Sequence, residues 1–136
     1  MFARVSGLRL RIAMPRNAPK SILVVDDDPD VLRLLSSILS TAGYRVLEAS
    51  DGKQAVARFT EEPADLLITD LIMPEQEGVQ TITTLMHNYP RLKTIAISGA
   101  ARGKYLKIAG MLGAHAVLQK PFHKQDLLDT VRKLLS

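Results

Sequence analysis

The stretch Ile22-Leu23-Val24-Val25-Asp26-Asp27-Asp28-Pro29 decides the fold. Its first half is continuously apolar and rich in β-branched residues. Such a run suits a strand covered on both faces, as in a parallel sheet, better than the alternation of a half-exposed strand. Its second half stops the strand abruptly and opens a helix, with Asp28 as the cap and Pro29 in the first turn. The same change from apolar run to polar residue recurs along the chain. Leu66-Leu67-Ile68 stops at Asp70, Ile95-Ala96-Ile97 stops at Ser98, and Ala116-Val117-Leu118 stops just before Lys120. Tyr44 to Ala49 includes Arg45 and Glu48 and reads as a more exposed strand.

Helical spacings lie between these runs. Val31, Leu34, Leu35, Ile38, Leu39 and Ala42 form an apolar stripe that Gly43 ends. Asp51 is placed to cap a second helix carrying Ala55, Val56 and Phe59. A third runs from near Val79 to His87, before Pro90, and a fourth covers roughly Lys104 to Leu112, before Gly113. The last carries Leu127, Leu128, Val131, Leu134 and Leu135. A strand–helix unit repeated in this way predicts an α/β fold, a doubly wound parallel sheet with helices on both faces. Ligands of such sheets bind at the carboxyl ends of the strands. Asp26, Asp27, Asp70, Ser98 and Lys120 all fall there.

The 136 residues suit one compact domain, and 46% apolar content suffices for a core. With no cysteine, disulfide and thiolate chemistry is excluded. No apolar run has the length of a bilayer span. The net charge of +4 is concentrated at the start. Residues 1–20 hold Arg4, Arg9, Arg11, Arg16 and Lys20 and no acid, whereas the remainder sets 13 basic residues against 14 acids. Direct nucleic-acid binding by the folded part is therefore not expected, nor is membrane binding. The arginines interrupt Phe2, Val5, Leu8, Leu10 and Ile12, so a secretory signal is rejected. Residues 1–19 are read as a basic, disordered extension, either a surface-binding arm or a stretch upstream of a natural start at Met14. Pro15 and Pro19 mark its boundary with a domain over 20–136.

Three carboxylates at one sheet edge repel each other unless a cation joins them. A hard divalent ion such as Mg²⁺ takes carboxylates, a backbone carbonyl and waters. Asp26, Asp27 and Asp70 thus read as a metal site open to a phosphate group. Lys120 can pair with Asp70 and later neutralise a phosphoryl oxygen, and Ser98 offers a hydroxyl. Such a set suits phosphoryl transfer with Asp70 as nucleophile. His87, His115 and His123 sit in or beside helix ends and read as surface or capping residues. Asp28 reads as a helix cap rather than a further metal ligand.

Val-Val-Asp-Asp-Asp-Pro at 24–29, Thr-Asp-Leu-Ile-Met-Pro at 69–74, Gly78, Ile-Ser-Gly at 97–99 and Gln-Lys-Pro-Phe at 119–122 together resemble the response-regulator receiver family. The resemblance covers residues 21–136. It implies a flavodoxin-like (βα)5 fold with strand order 2-1-3-4-5, in the manner of the single-domain chemotaxis regulators. It implies that Asp26 and Asp27 bind Mg²⁺, that Asp70 accepts the phosphoryl group, and that the backbone carbonyl of Ile72 completes the metal ligands. Ser98 takes the hydroxyl switch position and Lys120 that of the family's lysine, with a cis Lys120–Pro121 bond. The implied role is phosphorelay signalling in a bacterial cytoplasm, without turnover of an external substrate. The implied partners are a sensor histidine kinase or phosphotransfer protein and a downstream protein, bound as a monomer or a weak phosphorylation-dependent dimer. A haloacid-dehalogenase-type phosphatase is the rival enzyme reading, but the acid it needs two residues after the nucleophile is Ile72 here. A pseudo-receiver acting as an interaction module without phosphorylation is the other alternative.

Some positions depart from the family pattern. Val117 stands three residues before the lysine, where the family usually has a Tyr or Phe ring that reports the switch. Ile72 and Ala100 replace the polar side chains that often guide water, which suggests slow loss of the phosphoryl group. Gly103 and Gly110 weaken the fourth helix by about 1 kcal/mol each relative to alanine. Arg102, Lys104 and Lys107 make that helix basic, either as a solvated face or as a docking face.

Overall fold

The computed structural model describes residues 2–5, 8–11, 18–71, 77–99, 110 and 113–136. Strands β1 (Phe2–Val5) and β2 (Leu8–Arg11) pair antiparallel as a separate two-stranded sheet. They lie within the basic extension read over residues 1–19. Leu-Arg-Leu-Arg at 8–11 alternates with period 2, a pattern compatible with a strand. The domain itself follows, with β3 (Ser21–Val25), α1 (Pro29–Thr41), β4 (Arg45–Ala49), α2 (Gly52–Glu61), β5 (Leu66–Asp70), α3 (Glu77–Asn88), β6 (Lys93–Ser98), β7 (Ala116–Gln119) and α4 (Lys124–Leu135). The helix expected over 104–112 lies outside the described residues, except for Gly110, which is helical. Helix α3 begins at Glu77, slightly ahead of the apolar pattern that marked it.

All neighbouring strands of the large sheet run parallel, in the order β4-β3-β5-β6-β7. Counting only these five strands, that is the expected order 2-1-3-4-5. Strands β3, β5 and β6 are covered on both faces, which accounts for their continuous apolarity. On one face, Leu23, Val25, Leu67 and Ala96 pack with Ala55 and Phe59 of α2 and Ile82 and Leu85 of α3. On the other, Ile22, Val24, Ile68, Ile95 and Ile97 pack with Leu32, Leu35 and Leu39 of α1 and Leu127 and Val131 of α4. Edge strand β4 has only Ala49 fully buried, as its mixed composition predicts.

The apolar stripe of α1 differs from the expected one: Leu32, absent from it, is buried, and Ala42, at its end, is an exposed C-cap. Leu32, Leu35 and Leu39 are its buried residues, whereas Leu34 is 53% exposed. Val31 and Ile38 flank the buried line and are half-buried. A helix advances 100° per residue, so a stripe this wide cannot face the sheet entirely, and Leu34 falls on its outer edge. Among the described residues, no helix is long and apolar enough to cross a membrane.

Candidate functional site

Each polar residue at a strand's carboxyl end is carried there by the strand before it. β3 delivers Asp26 and Asp27, β5 ends on Asp70, β6 ends on Ser98, and β7 leads into Lys120. Asp26 is anchored in the sheet by its backbone N–H, which donates to the Ala49 carbonyl at 3.2 Å. Asp70 pairs with Ile97 in the β5–β6 register, so Ser98 stands one residue beyond it on the next strand. Lys120 N–H donates to the Ser98 carbonyl at 2.8 Å, which ties the last two positions together.

The three aspartates converge. One carboxylate oxygen from each of Asp26, Asp27 and Asp70 lies within 4.8 Å of the others. Asp26 and Asp70 are buried, at 1% and 4% exposure, and Asp27 is exposed. The Lys120 ammonium donates to Asp26 Oδ2 and to Asp70 Oδ2, both at 2.9 Å. Burial alone pulls the Lys120 pKa down. The hydrogen bonds to Asp26 and Asp70 and the charges of both outweigh it and leave the pKa above the ordinary lysine value. Its stem lies along Gly99, where an added Cβ would sit 3.5 Å from Lys120 Cδ. The Lys120–Pro121 bond is cis, as the resemblance implied.

The donor set suits a hard divalent ion. It offers oxygen ligands, a concentration of negative charge that one lysine offsets only in part, and an exposed carboxylate on the open side. Ile72, whose carbonyl was expected to join them, lies outside the described residues, as does Ala100. Asp28 stays out of the cluster and caps α1, its Oδ1 accepting from Asp30 N–H at 2.9 Å. Val117 sits opposite Ala96 and packs, half-buried, against the α2–α3 core.

Two features were not read from the sequence. Asp28 N–H donates to Asp26 Oδ1 at 2.9 Å, linking the helix cap to the site. His115 accepts from the Thr94 N–H through Nδ1 at 3.2 Å, so it braces β6 against β7. The first is a local turn, in which an Asp side chain accepts from the amide two residues on, as Asp favours; the second joins positions far apart in the chain and has no sequence signal. His87 and His123 are exposed, and His123 precedes α4 without a side-chain capping bond.

Residues 22–132 match the family described as the response regulator receiver domain. The response regulator receiver protein CpdR of Brucella abortus is 37% identical over 116 residues, covering 85% of this chain and 97% of its own length. The transcriptional regulatory protein CpxR of Klebsiella pneumoniae is 38% identical over 116 residues, covering 84% of this chain and 48% of its own. The chain thus spans about half the length of such larger regulators. A CheY-like receiver domain protein from Methanospirillum hungatei superposes with a TM-score of 0.81 at 30% identity, over 86% of this chain and 94% of that one.

Proposed function

Because the chain belongs to the response-regulator receiver family, we propose that it accepts a phosphoryl group on Asp70 from a phosphohistidine of a sensor kinase or phosphotransfer protein. An Asp70 carboxylate oxygen attacks phosphorus and forms an acyl phosphate. The P–N bond breaks, and its electron pair returns to the donor's imidazole. Asp26, Asp27, Asp70 and the Ile72 carbonyl would hold Mg²⁺. When bound, the ion supplies positive charge that offsets the carboxylates and the phosphoryl oxygens. Lys120 neutralises a phosphoryl oxygen after giving up part of its pairing with Asp70, and Ser98 offers its hydroxyl to another.

One observation carries this reading. A single ammonium bridges two buried carboxylates at 2.9 Å, inside a group of three carboxylates of metal-binding size. The phosphorylated domain then alters its binding to a downstream protein. With Val117 in the half-buried strand position, that change travels without a ring moving at residue 117. Incubation with acetyl phosphate and Mg²⁺ tests the chemistry by intact mass. The full chain gains one phosphoryl group, and Asp70→Ala does not. No gain in the wild type under these conditions would leave the pseudo-receiver reading standing instead.

A further inference from the structure

We infer that Asp28 is a positioning residue, which holds the Asp26 carboxylate in the orientation a metal site needs by fixing the first turn of α1. The inference rests on the magnesium reading above. Asp28 contributes no oxygen to the carboxylate cluster. Hydrogen bonds nonetheless meet at it from both directions. Its Oδ1 accepts from Asp30 N–H at 2.9 Å, and its carbonyl accepts from Leu32 N–H at 3.1 Å. Its own N–H donates the other way, to Asp26 Oδ1 at 2.9 Å.

The geometry explains why the side chain matters to that last bond. The first N–H groups of a helix have no partner within it. The Asp28 carboxylate satisfies one of them, and this keeps Asp28 extended at φ −90° and ψ 113°. Pro29 cannot donate and has a fixed φ, so the chain is committed to turn there. In that conformation the Asp28 N–H faces back toward Asp26. Lys120 holds the other oxygen, Asp26 Oδ2, at 2.9 Å. The Asp26 carboxylate is therefore fixed from both sides, by an ammonium and by the amide that the helix cap aims. Removing the capping oxygen releases the amide, and Asp26 loses one of the two constraints on its plane. Groups that orient metal ligands in this way typically change affinity by roughly tenfold to a hundredfold when removed.

The test is a MgCl2 titration of the ¹⁵N-labelled full chain at physiological salt, read from backbone amide shifts, with thermal melts to confirm folding. Asp28→Ala raises the Mg²⁺ dissociation constant roughly tenfold. Asp28→Gly, which tolerates the N-cap conformation yet lacks the oxygen, weakens binding as well and serves where the alanine variant does not fold. Asp28→Asn keeps the capping oxygen without the charge and binds within about twofold of wild type. Unchanged affinity in the alanine and glycine variants overturns the inference. So does a loss in Asp28→Asn equal to that in Asp28→Ala, because the carboxylate would then act by its charge or as a ligand. A wild type that binds no Mg²⁺ sinks the metal reading itself, which distinguishes the two failures.

Discussion

The two ends of the same parallel sheet solve the problem of charge in opposite ways. At the carboxyl ends, Asp26 and Asp70 are buried and share one lysine from a distant strand. At the amino ends, the polar contacts lie at or near the surface and join adjacent elements, although Thr94 itself is buried. Asp65 accepts from Ser21 N–H at 2.8 Å, Arg45 pairs with Glu62, and His115 accepts from Thr94 N–H. The strands between are apolar in both directions. A buried charge depends on its partner, because water cannot replace it. An exposed one is dispensable, because water can. The site end is thus built from groups that need one another, and the far end from groups that do not.

Removing the shared lysine tests this contrast most severely. Lys120→Met leaves two buried carboxylates facing each other and costs about 2 kcal/mol in metal-free urea denaturation, tempered because the lysine side chain is 24% exposed. MgCl2 restores part of the loss. The effect also has a pH signature. The folded state raises the Lys120 pKa, so its contribution is complete below the ordinary value of 10.5 and is lost as pH rises through the raised value. The gap between wild type and Lys120→Met therefore narrows as pH rises through that raised value.

Asp27→Asn probes the same cluster with the opposite sign. Asp27 is an exposed member of a like-charged group, so neutralising it raises the metal-free melting temperature by about 3 °C. The same variant weakens Mg²⁺ binding in a titration. A fall in melting temperature would show that the cluster carries no net repulsion.

The far end gives smaller responses. His115→Ala loses the bond to Thr94 N–H and costs about 0.5 kcal/mol at pH 8, a modest figure because the ring is exposed. Burial lowers the His115 pKa below 6.5, and the nearby Lys93 charge adds to the effect. The neutral ring is the one the fold favours, so its contribution is full above 6.5 and is lost as pH falls through the lowered value. Denaturation curves of wild type and variant accordingly converge in acid. Glu62→Ala breaks an exposed pair with Arg45 and changes stability by about 0.3 kcal/mol. A cost near that of Lys120→Met would erase the distinction between the two ends.

The sequence by itself determined the five strands of the parallel sheet and their order, the two-faced burial of β3, β5 and β6, and the residues that meet at the carboxyl ends. Continuous apolar runs and abrupt polar stops are local signals, and a parallel sheet converts them into position. Capping of α1 by Asp28 was legible for the same reason, since Asp-Pro acts on the next turn of chain. Which side of α1 exposes Leu34 was decided only by packing, because helical spacing defines a stripe wider than the contact it makes. The pairing of β1 with β2 was also beyond a reading that weighed charge above alternation. The tertiary structure alone decided that Lys120 divides itself between Asp26 and Asp70. Those contacts depend on ångström distances between separate segments and on backbone direction, and neither is written in residue identity.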